Sequence, residues 1–158
     1  MGTEVERKFM VEQLPPVGEL GDGVAMRQGY LARDGDVEVR LRITELRAVL
    51  TVKAGDGMSR TEVEVEVPPG DADALWPSTV GRRIDKVRHR VAVGDLVAEV
   101  DAYAGDLAGL HTVEVEFATV AAAAAFAPPA WFGRELTGDA TWSNAALARN
   151  GRPDRADL

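Results

Sequence analysis

"RTEVEVEV", residues 60 to 67, sets Arg60, Glu62, Glu64 and Glu66 against Thr61, Val63, Val65 and Val67 at every second position. A period of two is that of an extended strand, whose side chains point alternately to opposite faces. The same alternation recurs along most of the chain and predicts eight strands, near residues 4–11, 26–32, 37–43, 48–53, 59–67, 84–93, 95–103 and 111–117. "RDGD" at 33–36, "AGDG" at 54–57 and "VGD" at 93–95 carry tight-turn chemistry and join neighbours as antiparallel hairpins. Helical periodicity is scarce. A short helix is expected after Asp71 as N-cap and before Pro77, another over the alanine run 121–126, and a third over 141–149. Eight antiparallel strands with few helices fit a sandwich or a closed barrel.

The 158 residues suit a single domain over 1–150, with 151–158 read as a flexible tail. The composition is globular, 46% hydrophobic. Absence of cysteine excludes disulfides, a thiol nucleophile and Cys-rich zinc sites. His89 and His111 alone give imidazole chemistry little to draw on and are read as structural. Eighteen basic against 26 acidic residues, a net charge of -8, argue against a nucleic-acid or anionic-membrane surface. With no apolar run of signal-peptide or membrane-spanning length, the expected address is cytoplasmic.

Alternation also sorts the charges. Glu4, Glu6 and Lys8 share one face, as do Glu38, Arg40 and Arg42; Lys86, Arg88 and Arg90; Glu99 and Asp101; and Glu114 and Glu116, while Lys53 stands on a strand of its own. An antiparallel sheet with one solvated face explains any one of these strands. It does not explain why carboxylates collect on some strands and cations on others, since a soluble surface is better served by mixed signs. Two carboxylates two residues apart on a strand repel by about 2.4 kcal/mol at an effective dielectric near 20. Hard divalent cations relieve that repulsion, and clustered Arg and Lys suit phosphate groups. The physics therefore points to metal-bearing carboxylates facing phosphate-binding cations. If the ionic face lines a barrel, the apolar face needs cover from helices or from a second copy in a homodimer.

"EVERKF" at 4–9 resembles the Glu-x-Glu-x-Lys signature of the CYTH superfamily, the triphosphate tunnel metalloenzymes. "RQGYL", "VRLR", "LTVKAGDGMSRTEVEVEV", "KVRHRV", "AEVDAYAGDLAGLHTVEVEF" and "WFGRELTGDATWSNAALA" follow in that family's order across residues 3–149. The chain looks most like its small bacterial inorganic triphosphatases. The resemblance implies a mainly β fold, an eight-stranded antiparallel closed barrel with a few short helices packed outside. It also implies Mg²⁺ or Mn²⁺ as cofactor and a small-molecule triphosphate as substrate. By motif, Glu4, Glu6, Glu114 and Glu116 match the main metal ligands, with Asp101, Glu62 and Glu64 close by. Arg40, Arg42, Lys53, Lys86 and Arg88 match phosphate-binding positions, Arg60 more weakly, and Lys8 with Tyr30 match a pair linked to catalysis. Leu136 stands where a valine is frequent and His89 where an aromatic is common; neither touches the ionic set. Thiamine triphosphatase, nucleoside or RNA triphosphatase and class IV adenylyl cyclase share these ionic motifs, and a polyphosphate-binding module is the non-enzymatic alternative. Trp76, Trp131, Trp142, Phe126 and Phe132 are expected to pack helices or loops over the barrel wall. The absence of a Walker loop or dinucleotide fingerprint excludes a conventional nucleotide-binding fold.

Overall fold

The computed structural model describes residues 2–16 and 18–153, so most of the tail expected at 151–158 lies outside the described residues. Eight strands form: β1 (Gly2–Met10), β2 (Val24–Asp34), β3 (Val37–Thr44), β4 (Ala48–Ala54), β5 (Ser59–Val67), β6 (Arg83–Val93), β7 (Leu96–Tyr103) and β8 (His111–Phe117). They close into a barrel in the order β1-β5-β4-β3-β2-β6-β7-β8, every neighbouring pair antiparallel. Of the two architectures that alternation allowed, closure wins because β1 joins both meanders. It pairs with β5 at Gly2–Val5 and with β8 from Val5 to Met10. Closure also removes sheet edges, which an open sheet would expose. Where β1 has left β5, its free edge is taken by the chain before Leu136: Met10 N donates to Arg134 O, Gly133 N to Met10 O and Leu136 N to Lys8 O. A Cβ on Gly133 would lie 2.8 Å from Met10 O, so only glycine lets the two backbones approach this closely.

Alternation sets two surfaces. The ionic set faces the barrel interior, and Val5, Phe9, Val91, Ala98, Val100, Val113, Val115 and Phe117 form an outer core. This core is roofed by α2 (Val120–Ala125) and by Phe126, Trp131 and Phe132, as expected for those aromatics. On the opposite wall α1 (Pro69–Leu75) covers Leu41 and Ala48, and Trp76 lies between the guanidiniums of Arg27 and Arg83. Elsewhere the outer face stays exposed, at Val52, Val63 and Val65. No helix among the described residues is long and apolar enough to cross a membrane.

Three local expectations are corrected. Asp71 is not the N-cap of α1: Pro68 occupies that position, Pro69 opens the helix, and Asp71 lies in the first turn, where its carboxylate favours the positive end of the helix dipole. The helix expected at 141–149 is broken by Ser143, whose extended ψ of 148° separates a 3₁₀ turn (Ala140–Trp142) from α3 (Asn144–Asn150). Ser143 Oγ caps α3 by accepting from Ala146 N. Trp142 does not pack over the outer wall. It is buried with Leu147 against Met10, Ile84 and Tyr103, residues of the inward register, so the C-terminal segment closes one end of the barrel.

Candidate active site

The inward faces of all eight strands surround a cavity of about 760 Å³. Its wall carries Glu4, Glu6 and Lys8 from β1, Tyr30 from β2, Arg40 and Arg42 from β3, and Lys53 from β4. Arg60, Glu62 and Glu64 come from β5, Arg88 from β6, Glu99 from β7, and Glu114 and Glu116 from β8. Thirteen of the fifteen residues selected from the sequence therefore line one space. The other two, Lys86 and Asp101, lie beyond the cavity wall. Both are buried, and they meet at 2.7 Å.

Most of the charges are paired across strands. Lys53 Nζ lies between Glu4 at 2.7 Å and Glu62 at 2.9 Å; Arg60 reaches Glu6 at 3.0 Å and Arg42 reaches Glu64 at 2.9 Å. Arg88 is the most heavily engaged: Nε and Nη2 donate to the two oxygens of Asp101 at 2.7 and 2.8 Å, Nη1 donates to Glu99 at 2.6 Å, and Nη2 reaches Glu114 at 3.3 Å. Burial opposes ionisation of Asp101, but Lys86 and then Arg88 outweigh it and hold the carboxyl below its ordinary range. Both Asp101 oxygens are thus committed to cations. Lys8 Nζ donates to the Trp142 carbonyl at 2.9 Å and stands 3.6 Å from Glu114, so the segment that closes the barrel also fixes this ammonium.

Two charged members of the set form no ion pair among the described residues, although Glu62, Glu38 and Glu114 lie near enough to Arg40 to help outweigh its burial and keep its guanidinium charged. Arg40 is only 7% exposed, forms no ion pair or side-chain hydrogen bond, and has its Nε buried without a partner. Glu116 stands opposite Glu6 in the β1–β8 register; burial first, then Glu6, Glu62 and Glu99, push its carboxyl up. Burial and the Glu6 charge likewise push Glu4 up to about 7, against the pull of Lys53. Glu114 goes the other way, because Lys8 and Arg88 outweigh its burial. Burial raises Tyr30 to about 12, so its phenol is a hydrogen-bond donor at neutral pH and not a base.

A divalent cation fits this donor set in its chemistry. The oxygens are hard, and the like charges that raise Glu4 and Glu116 are what a cation would neutralise. Among the described residues no three such carboxylates already converge on one point, since Glu4, Glu6 and Glu62 are turned toward Lys53 and Arg60. The sequence reading passed over Gln28, which is buried beneath Tyr30 and donates to its hydroxyl at 2.7 Å. The signal was its position two residues before Tyr30, on the same face. Trp142 was also missed as a partner of Lys8, and no pattern in the sequence announces a backbone carbonyl. His89 remains structural, its Nδ1 lying 2.8 Å from Gly21 O.

No family model matches the chain. An inorganic triphosphatase of Nitrosomonas europaea is 45% identical over 148 residues, covering 92% of this chain and 97% of that protein. One of Acetivibrio thermocellus is 37% identical over 152 residues, covering 95% and 96%. A solved inorganic triphosphatase structure superposes with a TM-score of 0.70 at 41% identity, over 96% of this chain and all of that one. A candidate adenylate cyclase of Bacillus halodurans, 16% identical with a TM-score of 0.58 over 78% of this chain and 86% of that one, shares the fold.

Proposed function

This chain belongs to the inorganic triphosphatases of the CYTH superfamily, and from that membership we propose that its barrel cavity hydrolyses inorganic triphosphate to diphosphate and phosphate. The observation that carries the reading is Arg40. Its guanidinium is buried in the cavity wall, is kept charged with the help of Glu62, Glu38 and Glu114, and forms no ion pair or side-chain hydrogen bond among the described residues, so its donors are available to an anion. The triphosphate chain supplies that anion, and Arg42, Lys53, Arg60 and Arg88 extend the positive wall along it.

Glu4, Glu6, Glu62, Glu114 and Glu116 would hold Mg²⁺ or Mn²⁺, leaving Glu64 with Arg42 and Thr51. Bound there, such a cation neutralises phosphate charge and makes a water more acidic. Asp101 is left outside this ligand set because its oxygens hold Lys86 and Arg88. The attacking water forms the new bond to the terminal phosphorus and gives up a proton to solvent, and the bond to the bridging oxygen breaks, its electron pair leaving with diphosphate. The guanidiniums are placed before reaction and stabilise the charge that grows on the transferred group. Lys8 and the Tyr30 hydroxyl serve the leaving oxygen, Lys8 as the cation that orients or protonates it.

Phosphate release from triphosphate, ATP, thiamine triphosphate and longer polyphosphate, each with Mg²⁺, Mn²⁺ or chelator, tests this assignment. Turnover of triphosphate with metal and none with chelator is expected. Conversion of ATP alone, to cyclic AMP, would replace the assignment with a cyclase, and binding without release would leave a sequestering module.

A further inference from the structure

Two tyrosines are buried on the inward face, and they differ in where their protons go. Tyr103 Oη donates to Asn144 Oδ1 at 2.6 Å and lies 3.3 Å from Thr112 Oγ1, so its hydroxyl is satisfied within the protein. Tyr30 Oη accepts from Gln28 Nε2 at 2.7 Å, and among the described residues nothing accepts its proton. Gln28 is fully buried and lies outside the cavity wall, whereas Tyr30 lies in it. The amide is therefore spent on the tyrosine and does not reach the cavity contents.

The backbone around the pair is braced. The β2–β3 register slips between Tyr30 and Ala32, and the Tyr30 N–H leaves the ladder to donate to Arg82 O at 3.0 Å. Gly29 makes room for the segment that carries Arg82: a Cβ there would lie 2.6 Å from the Thr79 side chain. With the backbone held from outside, the hydroxyl direction is left to Gln28. A phenol oxygen that accepts an amide N–H turns its own proton elsewhere, and Tyr30 opens onto the cavity.

We infer that Gln28 is a positioning residue for the hydrolysis proposed above: its amide N–H holds the Tyr30 hydroxyl so that the phenol proton donates to the bridging oxygen of the leaving diphosphate. No proton is transferred in this contact. The hydrogen bond strengthens as charge grows on that oxygen and so acts on the transition state more than on bound substrate. The inference rests on the assignment of Tyr30 to the leaving group. The opposite orientation of the amide would take the phenol proton onto Gln28 Oε1 and away from the cavity, an arrangement with the reverse kinetic consequence.

Steady-state phosphate release from inorganic triphosphate, measured on wild type, Gln28→Met, Tyr30→Phe and the double variant, tests this. Methionine keeps the length of the side chain and removes the amide. We expect Tyr30→Phe to lower kcat about a hundredfold and Gln28→Met about tenfold with KM within about twofold, while the double variant is no slower than Tyr30→Phe alone. Equal losses from Gln28→Met in both backgrounds would show Gln28 acting independently of Tyr30 and overturn the inference. An unchanged or faster Gln28→Met would overturn it too, the faster enzyme pointing to the reverse amide orientation. A Tyr30→Phe enzyme as fast as wild type would remove the leaving-group role of Tyr30 itself, and the inference with it. If Gln28→Met melts early, the same cycle is read on Gln28→Asn, which keeps the amide but ends one methylene short of Tyr30.

Discussion

Asp101→Asn separates a structural ion-pair network from the proposed metal site. Asp101 is completely buried and receives three charge-assisted hydrogen bonds at 2.7 to 2.8 Å, one from Lys86 and two from Arg88. Asparagine preserves the shape and one acceptor but presents an amide N–H₂ to a cation and leaves Lys86 and Arg88 short of a negative charge. Breaking one side of a buried pair costs roughly 3 to 5 kcal/mol. The retained acceptor puts the expected loss near the lower end, about 3 kcal/mol, or a fall of roughly 6 to 12 °C in melting temperature for a domain of this size. Arg88 loses its bidentate anchor, so KM for triphosphate should rise. Mn²⁺ affinity measured by titration calorimetry should stay within about twofold, because neither Asp101 oxygen is free for a cation. Circular dichroism melts alongside the titration decide the matter. A melting temperature within about 2 °C of wild type, or a tenfold loss of Mn²⁺ affinity with little effect on KM, would refute the reasoning and return Asp101 to the metal.

Glu116→Gln should lower metal-dependent turnover at least about a hundredfold while leaving the melting temperature in chelator unchanged or raised, since it removes a like charge facing Glu6; retained activity would remove Glu116 from the ligand set. Arg40→Met should abolish tight triphosphate binding and lower the melting temperature without substrate only slightly, because Glu62, Glu38 and Glu114 favour its charge but no ion pair is lost; retained tight binding would remove Arg40 from the phosphate wall. The pH dependence has a definite sign. Glu4 is raised from 4.5 to about 7 in the folded state, so between those values the folded protein binds more protons than the unfolded, and stability in chelator should fall as pH rises through that window. In the proposed site Mg²⁺ or Mn²⁺ would compete with those protons, and its stabilising effect should grow over the same interval; melts in chelator that are flat or rising between pH 5 and 7 would contradict the burial and crowding of Glu4.

Much of this was legible because a strand has a period of two. "RTEVEVEV" and "HTVEVEF" state which residues share a face, and a closed sheet turns that statement into a wall. Periodicity does not say which face is inside; closure and register decide that, through contacts far apart in sequence such as Glu6 opposite Glu116 and Lys8 opposite Glu114. The break at Ser143 was hidden for a similar reason. "TWSNAALA" reads as continuous helix locally, and it is the burial of Trp142 against Met10, Ile84 and Tyr103 that fixes the turn before α3.

What alternation could not separate are the charges a protein keeps for itself from those it holds for a ligand. Lys86 and Arg40 look alike in sequence, each a cation on the inward face of a basic strand. The structure gives Lys86 a partner at 2.7 Å on the adjacent strand and none among the described residues to Arg40. Glu114 and Glu116 differ in the same way, one held far below its usual range by Lys8 and Arg88 and the other pushed up by its neighbours. Lys86 and Asp101 are committed to one another behind the cavity wall, whereas the paired groups that line the cavity would exchange their partners for the ligand in the proposed site. Glu116, half-surrounded by Glu6, Glu62 and Glu99, opposes the free fold, a cost that the proposed metal would recover. This is why Glu116→Gln should leave stability unchanged or raise it as it removes activity, while Asp101→Asn should lower it. A loss of stability in both variants would mean that the interior is one continuous ion-pair lattice, with no carboxylate set aside for the ligand.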